Sequence, residues 1–326
     1  MQPQQRFGPQ RKEEKAKKFS LNLASFNAQS LLDTESSYND GDRLPRANLL
    51  RSQMVDVHMV GVQEARTPPG TRQVAGWFVF SSGCSKSSRN ASIGGIELWV
   101  NLECPFSVGG DRELKLQAAH FTIVHSADRI MVINIDAPFL ILRVIIAHGP
   151  SFEKRSKLAD EARLKQIRQW WDDLAAFKSA GRDNVVLIDA NARIGSVHSH
   201  CVGGEGFAEV ENEVGGIVHS VLSNNDFAAP ATLVKQSGSQ HTWVSPSGVK
   251  HRIDYVFVPT EWLSSVVEAS TLSDIELLAN GVDHITVSVK VEVDVAKNET
   301  ARTWPAFRPD PRFLRDHGSR QTFLQA

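Results

Sequence analysis

The chain has almost no net charge. Lys and Arg number 36 against 37 Asp and Glu, leaving a formal −1 at pH 7, so the body as a whole is not basic enough to hold nucleic acid by bulk charge. Any electropositive surface has to be local. Cysteine is scarce as well: Cys84, Cys104 and Cys201 are odd in number, far apart and without a C-x-x-C pair. That argues against a disulfide framework or a thiolate zinc site and favours a reducing compartment. No apolar run approaches the roughly 20 residues of a membrane span, so no membrane partner is expected. The polar, basic N-terminus lacks the apolar stretch of a secretory signal, and an intracellular, nuclear location is expected rather than secretion. The sequons at Asn90 and Asn298 are then chance matches. No repeat of 20–50 residues is apparent.

What is present is a core-forming sequence: 326 residues, 41% of them hydrophobic. Residues 1–18 read as a disordered basic arm, either a solvated tail or, through Arg11, Lys12, Lys15, Lys17 and Lys18, an import or phosphate-contacting segment. Residues 19–295 are strand-rich. Phe19–Asn27, Val55–Glu64, Trp77–Ser81 and Gly95–Val100 read as strands, with a helix over Leu44–Gln53. Apolar runs at Ala119–Ser126, Arg129–Ile135 and Phe139–His148 are joined so closely that they must form antiparallel hairpins. Glu153–Phe177 carries apolar residues at helical spacing, Asn184–Asp189 reads as a buried strand and 195–216 as a loop. Later strands are expected at His241–Val244, Arg252–Val258, Val266–Ser270 and His284–Val293. Residues 296–326 read as a flexible tail or linker. Strands mixed between hairpins and crossovers, with few helices, predict two packed sheets covered by helices rather than a doubly wound parallel sheet.

Polar groups recur where these strands begin or end. Asn27, Glu64, His148, Asp189 and Asn191 close strands, Asp254 stands near the start of one, and Asp283-His284 opens the last. A carboxylate beside apolar strand residues is costly to bury unless paired or metal-bound. Each also has an ordinary explanation: Asn27 or Asp283 as a turn residue, His148 as a core histidine. Together they suit phosphodiester hydrolysis. A glutamate with a carboxamide suits Mg2+, which takes few protein ligands, and not zinc. An aspartate can accept a proton from water, an asparagine amide can donate to a phosphoryl oxygen, and a carboxylate beside a histidine keeps its ring charged. His198, His200, His219 and His241 read as loop or surface residues.

The ordered series SFNAQSL (25–31), VGVQEAR (60–66), IAHGP (146–150), LIDANARIG (187–195), HRIDYVFV (251–258) and VDHITV (282–287) resembles the motif set of the endonuclease/exonuclease/phosphatase superfamily. The resemblance implies an α/β four-layer αββα sandwich with two mixed, mostly antiparallel sheets flanked by helices. It implies Glu64, Asn27 and Asp283 at a Mg2+ site, with Mn2+ an alternative, and Asp189, Asn191, His284, Asp254 and His148 as catalytic groups. The forms NAQSL, VQEAR and GGIELWV (94–100) look most like endonuclease domains of non-LTR (LINE-type) retrotransposons. Arg308–Leu324 is similar to the linker leading to a reverse transcriptase in such polyproteins. The implied activity is nicking of one DNA strand to leave a 3′-hydroxyl, with DNA as substrate and a reverse-transcriptase module as partner. Gln29 stands where abasic-site enzymes carry Asp, and His148 where they carry Tyr, which moves the site away from repair. Lys86 and Arg89 are candidates for the phosphate backbone or plain loop residues; Trp243 is a candidate for the base side or a core aromatic. Two alternatives stay open: an inositol-phosphate or lipid-headgroup hydrolase with the same catalytic residues, and a decayed retroelement domain that binds without turnover.

Overall fold

The central strands bury both faces, and that demands a layer on each side. In Lys18–Asn27, Ala24 and Phe26 point one way, Leu23 and Ser25 the other, and all are fully buried. Met59–Gln63 and Asp183–Asp189 are likewise buried along their whole length. The computed structural model describes residues 18–31, 45–86, 92–109, 112–153, 156–205, 210–275 and 283–294.

These strands form two large sheets. In the ten-stranded sheet the main path runs Gln236–Ser237, Val266–Leu272, Thr286–Asp294, Lys18–Asn27, Met59–Gln63, Glu97–Asn101, Trp77–Ser81, Gly70–Val74. The six-stranded sheet runs Phe121–Ser126, Ile130–Ala137, Leu140–His148, Asp183–Asp189, Asp254–Pro259, Phe227–Ala228. Most pairings are antiparallel; Lys18–Asn27 with Met59–Gln63, Leu140–His148 with Asp183–Asp189 and Gln236–Ser237 with Val266–Leu272 are parallel. On the outer face of the larger sheet, helix Pro45–Gln53 sets Ala47 and Leu50 against Phe26, Val60 and Val62. On the outer face of the smaller one, helices Lys157–Ala175 and Glu213–Asn224 bring Trp171, Leu174, Val214 and Val218 onto Ile145, Val186, Ile188 and Phe257. Burying each such side chain contributes about 1.5–3 kcal/mol.

The sheets meet face to face with little to spare. A Cβ on Gly61 would stand 2.6 Å from the Leu187 Cβ, so only glycine lets the strands approach there. Beside it the buried Gln63 donates to the Leu187 carbonyl (3.2 Å) and the Ser25 hydroxyl (3.1 Å), spanning the seam. The observed architecture is the four-layer αββα sandwich that the sequence leads one to expect.

Several local expectations are corrected. The segment read as a loop to residue 216 turns helical at Glu213, with the Asn212 side chain accepting from Gly215 N at 2.8 Å. Gly215 and Gly216 conceal this helix in the sequence, yet a side chain on Gly215 would collide with the Arg193 carbonyl. His219 is therefore neither loop nor surface. It is buried on the helix, with Nδ1 3.0 Å from Glu211 and Nε2 2.8 Å from the Ser199 hydroxyl, and it ties the preceding loop down. The last strand begins at Thr286, and His284 forms an isolated bridge with Trp243 instead. Strand Gly70–Val74 and the hairpin Pro105–Gly109/Arg112–Lys115 were not anticipated. Except for Lys18, the expected arm and tail lie outside the described residues. Among the described residues no helix is long and apolar enough to cross a membrane.

Candidate active site

Strand register alone gathers half of the site. In the smaller sheet His148 lies opposite Asp189, and Asp189 opposite Asp254, so the three side chains stand in one row at the sheet's end. In the larger sheet Asn27 pairs with Gln63, which puts Glu64 immediately beyond. Asn27 then crosses the seam: its Nδ2 donates to Asp189 Oδ2 at 2.8 Å and to Glu64 Oε1 at 3.2 Å. His148 Nε2 faces the same two carboxylates, 3.7 Å from Glu64 and 3.8 Å from Asp189.

The neighbouring turns complete the constellation. Asp189 Oδ1 accepts from the Asn191 backbone N–H at 2.9 Å, and the Asn191 amide donates to the Gly149 carbonyl at 3.0 Å. Asp254 Oδ2 holds His284 Nδ1 at 3.0 Å. Thr242 fixes that pair from behind, its hydroxyl accepting from Ile253 and Asp254 N–H (3.0 and 3.1 Å) and its carbonyl from Ile285 N–H (2.7 Å). Asp283 lies beside the ring, 3.8 Å from His284 Nε2, and takes hydrogen bonds from Gln29 Nε2 (2.5 Å) and Trp243 Nε1 (2.7 Å). Gln29, Glu64, Arg66 and Asn191 all have positive φ, between 48° and 59°. Left-handed backbone at non-glycine residues is strained and is retained where the surroundings fix it, commonly at functional sites.

Burial and charge drive the ionisable groups apart. Burial alone would pull the His284 imidazole down, but the Asp254 charge and hydrogen bond, with Asp189 and Asp283, push it up to about 9. Burial pulls His148 below its ordinary value and Arg129 adds to this, against the opposing charges of Asp189 and Glu64. Burial, then the Asp254 charge, raises Asp189. Burial would raise Glu64 too, yet its bond to Arg66 (2.8 Å), with His148 and Asn27, holds its carboxyl below the usual range. The site thus pairs a cationic imidazole with a neutral one and a strengthened carboxylate base.

No protein-family model matches the chain, and neither does any curated protein. Solved structures do. A 3′-5′ exonuclease from Neisseria meningitidis is similar over 83% of this chain and 99% of its own, at TM-score 0.52 and 16% identity. An AP endonuclease from Archaeoglobus fulgidus is similar over 82% and 98%, at TM-score 0.52 and 14% identity. One from Leishmania major is similar over 84% and 88%, at TM-score 0.52 and 13% identity. This is the deoxyribonuclease I-like fold.

Within that fold the eight polar residues singled out by sequence come to one end of the inter-sheet seam. Whether their donors fit a metal can be judged from their chemistry. Glu64 is half-buried beside a carboxamide, and no thiol takes part, a set that fits a hard, oxygen-seeking cation. Asp189, Asp254 and His284 also offer atoms within 4.8 Å of one another, but they are deeply buried and Asp254 already binds His284, so they form a relay more readily than a cage. Of the more peripheral candidates, Trp243 is half-buried, stacked on His251 at 5.7 Å and bonded to Asp283. Lys86 lies in a short strand pairing Ser92, and Arg89 falls outside the described residues. Ser85 of this loop donates to Asp128 at 2.5 Å, linking it to a hairpin turn of the other sheet. Sequence reasoning missed the supporting roles of Gln63, Arg66, Thr242 and Arg129, which donates to the His148 and Gly149 carbonyls at 3.3 Å. Gln63 and Arg66 carried a signal only through their place in VGVQEAR.

Proposed function

We propose that this chain is a divalent-metal-dependent phosphodiesterase that cleaves DNA, an endonuclease of the retroelement type. One observation carries the reading: Asn27 hydrogen-bonds both Glu64 of its own sheet and Asp189 of the opposite sheet, in a network whose far edge is a His284 charged by Asp254. A phosphodiester attacked by water needs a base, a positioned nucleophile and positive charge for the phosphorane oxygens, and each has a candidate here. Asp189, made more basic by burial, takes the proton of the attacking water; Asn191 orients that water or a phosphoryl oxygen through the amide N–H not given to Gly149. His284 places a cationic N–H on the phosphoryl group, and neutral His148 can donate a hydrogen bond or carry a proton. Glu64, supported by Asn27, would hold Mg2+ or Mn2+, and charge neutralisation at the phosphate is the chemistry that ion supplies when bound.

Solved structures of this fold include the exonuclease and AP endonucleases above, and a Neisseria 3′ phosphatase bound to a product DNA hairpin, at TM-score 0.50 and 16% identity. They support a DNA substrate. The retroelement assignment, and with it a reverse-transcriptase partner and a nuclear location, rests on the motif forms NAQSL, VQEAR and GGIELWV. The test is relaxation of supercoiled plasmid with Mg2+, beside EDTA and Asp189→Asn controls. Open circles that vanish in both controls are expected; intact plasmid with folded protein would sink the endonuclease reading and leave inositol phosphates to be tried.

A further inference from the structure

A serine, a histidine and a glutamate stand in line outside the site described above. Ser199 Oγ is 2.8 Å from His219 Nε2, and His219 Nδ1 is 3.0 Å from Glu211 Oε2. The partners dictate where the protons lie. A carboxylate only accepts, so Nδ1 carries the ring proton, Nε2 is the acceptor, and the Ser199 hydroxyl donates to it. The Cys201 N–H donates to the same oxygen at 3.2 Å. This is the order in which an imidazole can take a hydroxyl proton while an acid holds its tautomer. Ser199 is exposed, His219 buried and Glu211 half-buried, so the hydroxyl end of the line lies at the surface. Ser239 also meets a histidine, His241 Nδ1 at 2.8 Å, but among the described residues no carboxylate pairs with that ring.

Each member is set by its own element. Ser199 gives its N–H to the Val202 carbonyl at 2.8 Å, and the Ala229 N–H donates to the Cys201 carbonyl at 2.9 Å, which fixes the turn. Glu211 gives its N–H to Ser196 Oγ at 2.8 Å. His219 stands on helix Glu213–Asn224, one turn after Gly215 and Gly216. A Cβ at Gly215 would come within 2.9 Å of Glu211 Cγ, so bare backbone there lets Glu211 lie back over the first turn toward the ring.

We propose that Ser199 is an activated nucleophile that takes an acyl group from a small activated ester, with His219 as its base and Glu211 as the positioning residue. In this step the bond from Ser199 Oγ to the carbonyl carbon forms and the ester C–O bond breaks. The hydroxyl proton passes to His219 Nε2 and from there to the departing oxygen. The Ser199 N–H is already given to Val202, so it offers nothing to the carbonyl oxygen as that atom gains charge. An ester with a good leaving group is therefore the fitting donor. The site shares no residue with the phosphodiester site and goes beyond the function proposed for it.

The experiment treats the full chain with p-nitrophenyl acetate, without DNA or metal. Nitrophenolate release is followed by absorbance, and the acetyl group is located by mass spectrometry of proteolytic peptides. The internal control is Ser220, exposed on the same helix as His219, its hydroxyl given to the Gly216 carbonyl at 2.8 Å. Ser199 is expected to be acetylated at least roughly tenfold faster than Ser220, and to lose that preference in urea. If water removes the acetyl group quickly, nitrophenolate release exceeds one per chain and falls in Ser199→Ala. Glu211→Gln keeps the shape and removes the charge; it should slow the reaction roughly tenfold, and His219→Ala roughly 100-fold, with circular dichroism unchanged. Ser199 no more reactive than Ser220, with release unaltered in Ser199→Ala, would overturn the proposal. So would wild-type rates in folded Glu211→Gln and His219→Ala, because the three bonds would then serve only to tie down the loop.

Discussion

Removing the charge of Asp254 should uncouple His284 from the chemistry at neutral pH. In the wild type the imidazole titrates at about 9 against an ordinary 6.5, a gap of about 2.5 pH units. At 1.36 kcal/mol per unit this is roughly 3 kcal/mol favouring the charged ring. The side chain is only 6% exposed, so solvent screens little of it. In Asp254→Asn the hydrogen bond to Nδ1 can persist, but burial, the strongest influence, then acts with less opposition and takes the ring to 6.5 or below. At pH 7.5 the charged fraction falls from about 97% to about 9% or less, a loss of roughly tenfold in the cationic form from protonation alone. Plasmid nicking measured from pH 5.5 to 9.5 should show the alkaline limb moving from near 9 to below 7. Stability carries the same signature. A group whose pKa is raised on folding contributes fully below its unfolded value and loses that contribution as pH rises through the folded one. Wild-type stability should therefore decline between pH 6.5 and 9, and the decline should flatten in the variant. A wild-type His284 titrating at 6.5 or lower by NMR, or an alkaline limb unmoved by the substitution, would refute the reasoning.

Other outcomes follow from the same geometry. Asp189→Asn and Glu64→Gln should each lower the nicking rate by roughly 100- to 10,000-fold while the protein stays folded, measured as single-turnover rates with Mg2+. Gly61→Val should drive a side chain into Leu187 and cost about 1–3 kcal/mol of stability in urea denaturation, though residue 61 touches no reacting group. His219→Ala leaves Glu211 and Ser199 without their buried partner; a loss of about 1–3 kcal/mol with nicking per folded molecule unchanged is expected.

The candidate site was legible because its members are strand ends. A polar residue that closes an apolar run is conspicuous in one dimension, and Asn27, Glu64, His148 and Asp189 all have that form. The layers were legible for a related reason: runs buried on both faces, such as Asn184–Asp189, cannot lie on the outside of a fold. What escaped notice was held in place by contacts distant in sequence. Helix Glu213–Asn224 carries a glycine pair in its first turn that local propensity counts against, yet a side chain at Gly215 would meet the Arg193 carbonyl. His219 looks like any polar residue near a glycine-rich loop until Glu211 and Ser199 are brought to either side of its ring.

Glutamine shows the limit most clearly. Gln63 and Gln29 stand within the motifs, yet neither residue type signals chemistry. Gln63 is buried because the sheets meet across it, with Ser25 on one side and the Leu187 carbonyl on the other. Gln29 matters because a left-handed turn after Asn27 sends its amide to Asp283, a residue 254 positions away. The groups that do chemistry must be acids, amides or imidazoles, so the sequence displays them; the groups that aim them need only a donor in the right place. A cluster of polar side chains built from the ends of two sheets can therefore be found from its motif order. The orientation of each side chain follows only from the packed seam.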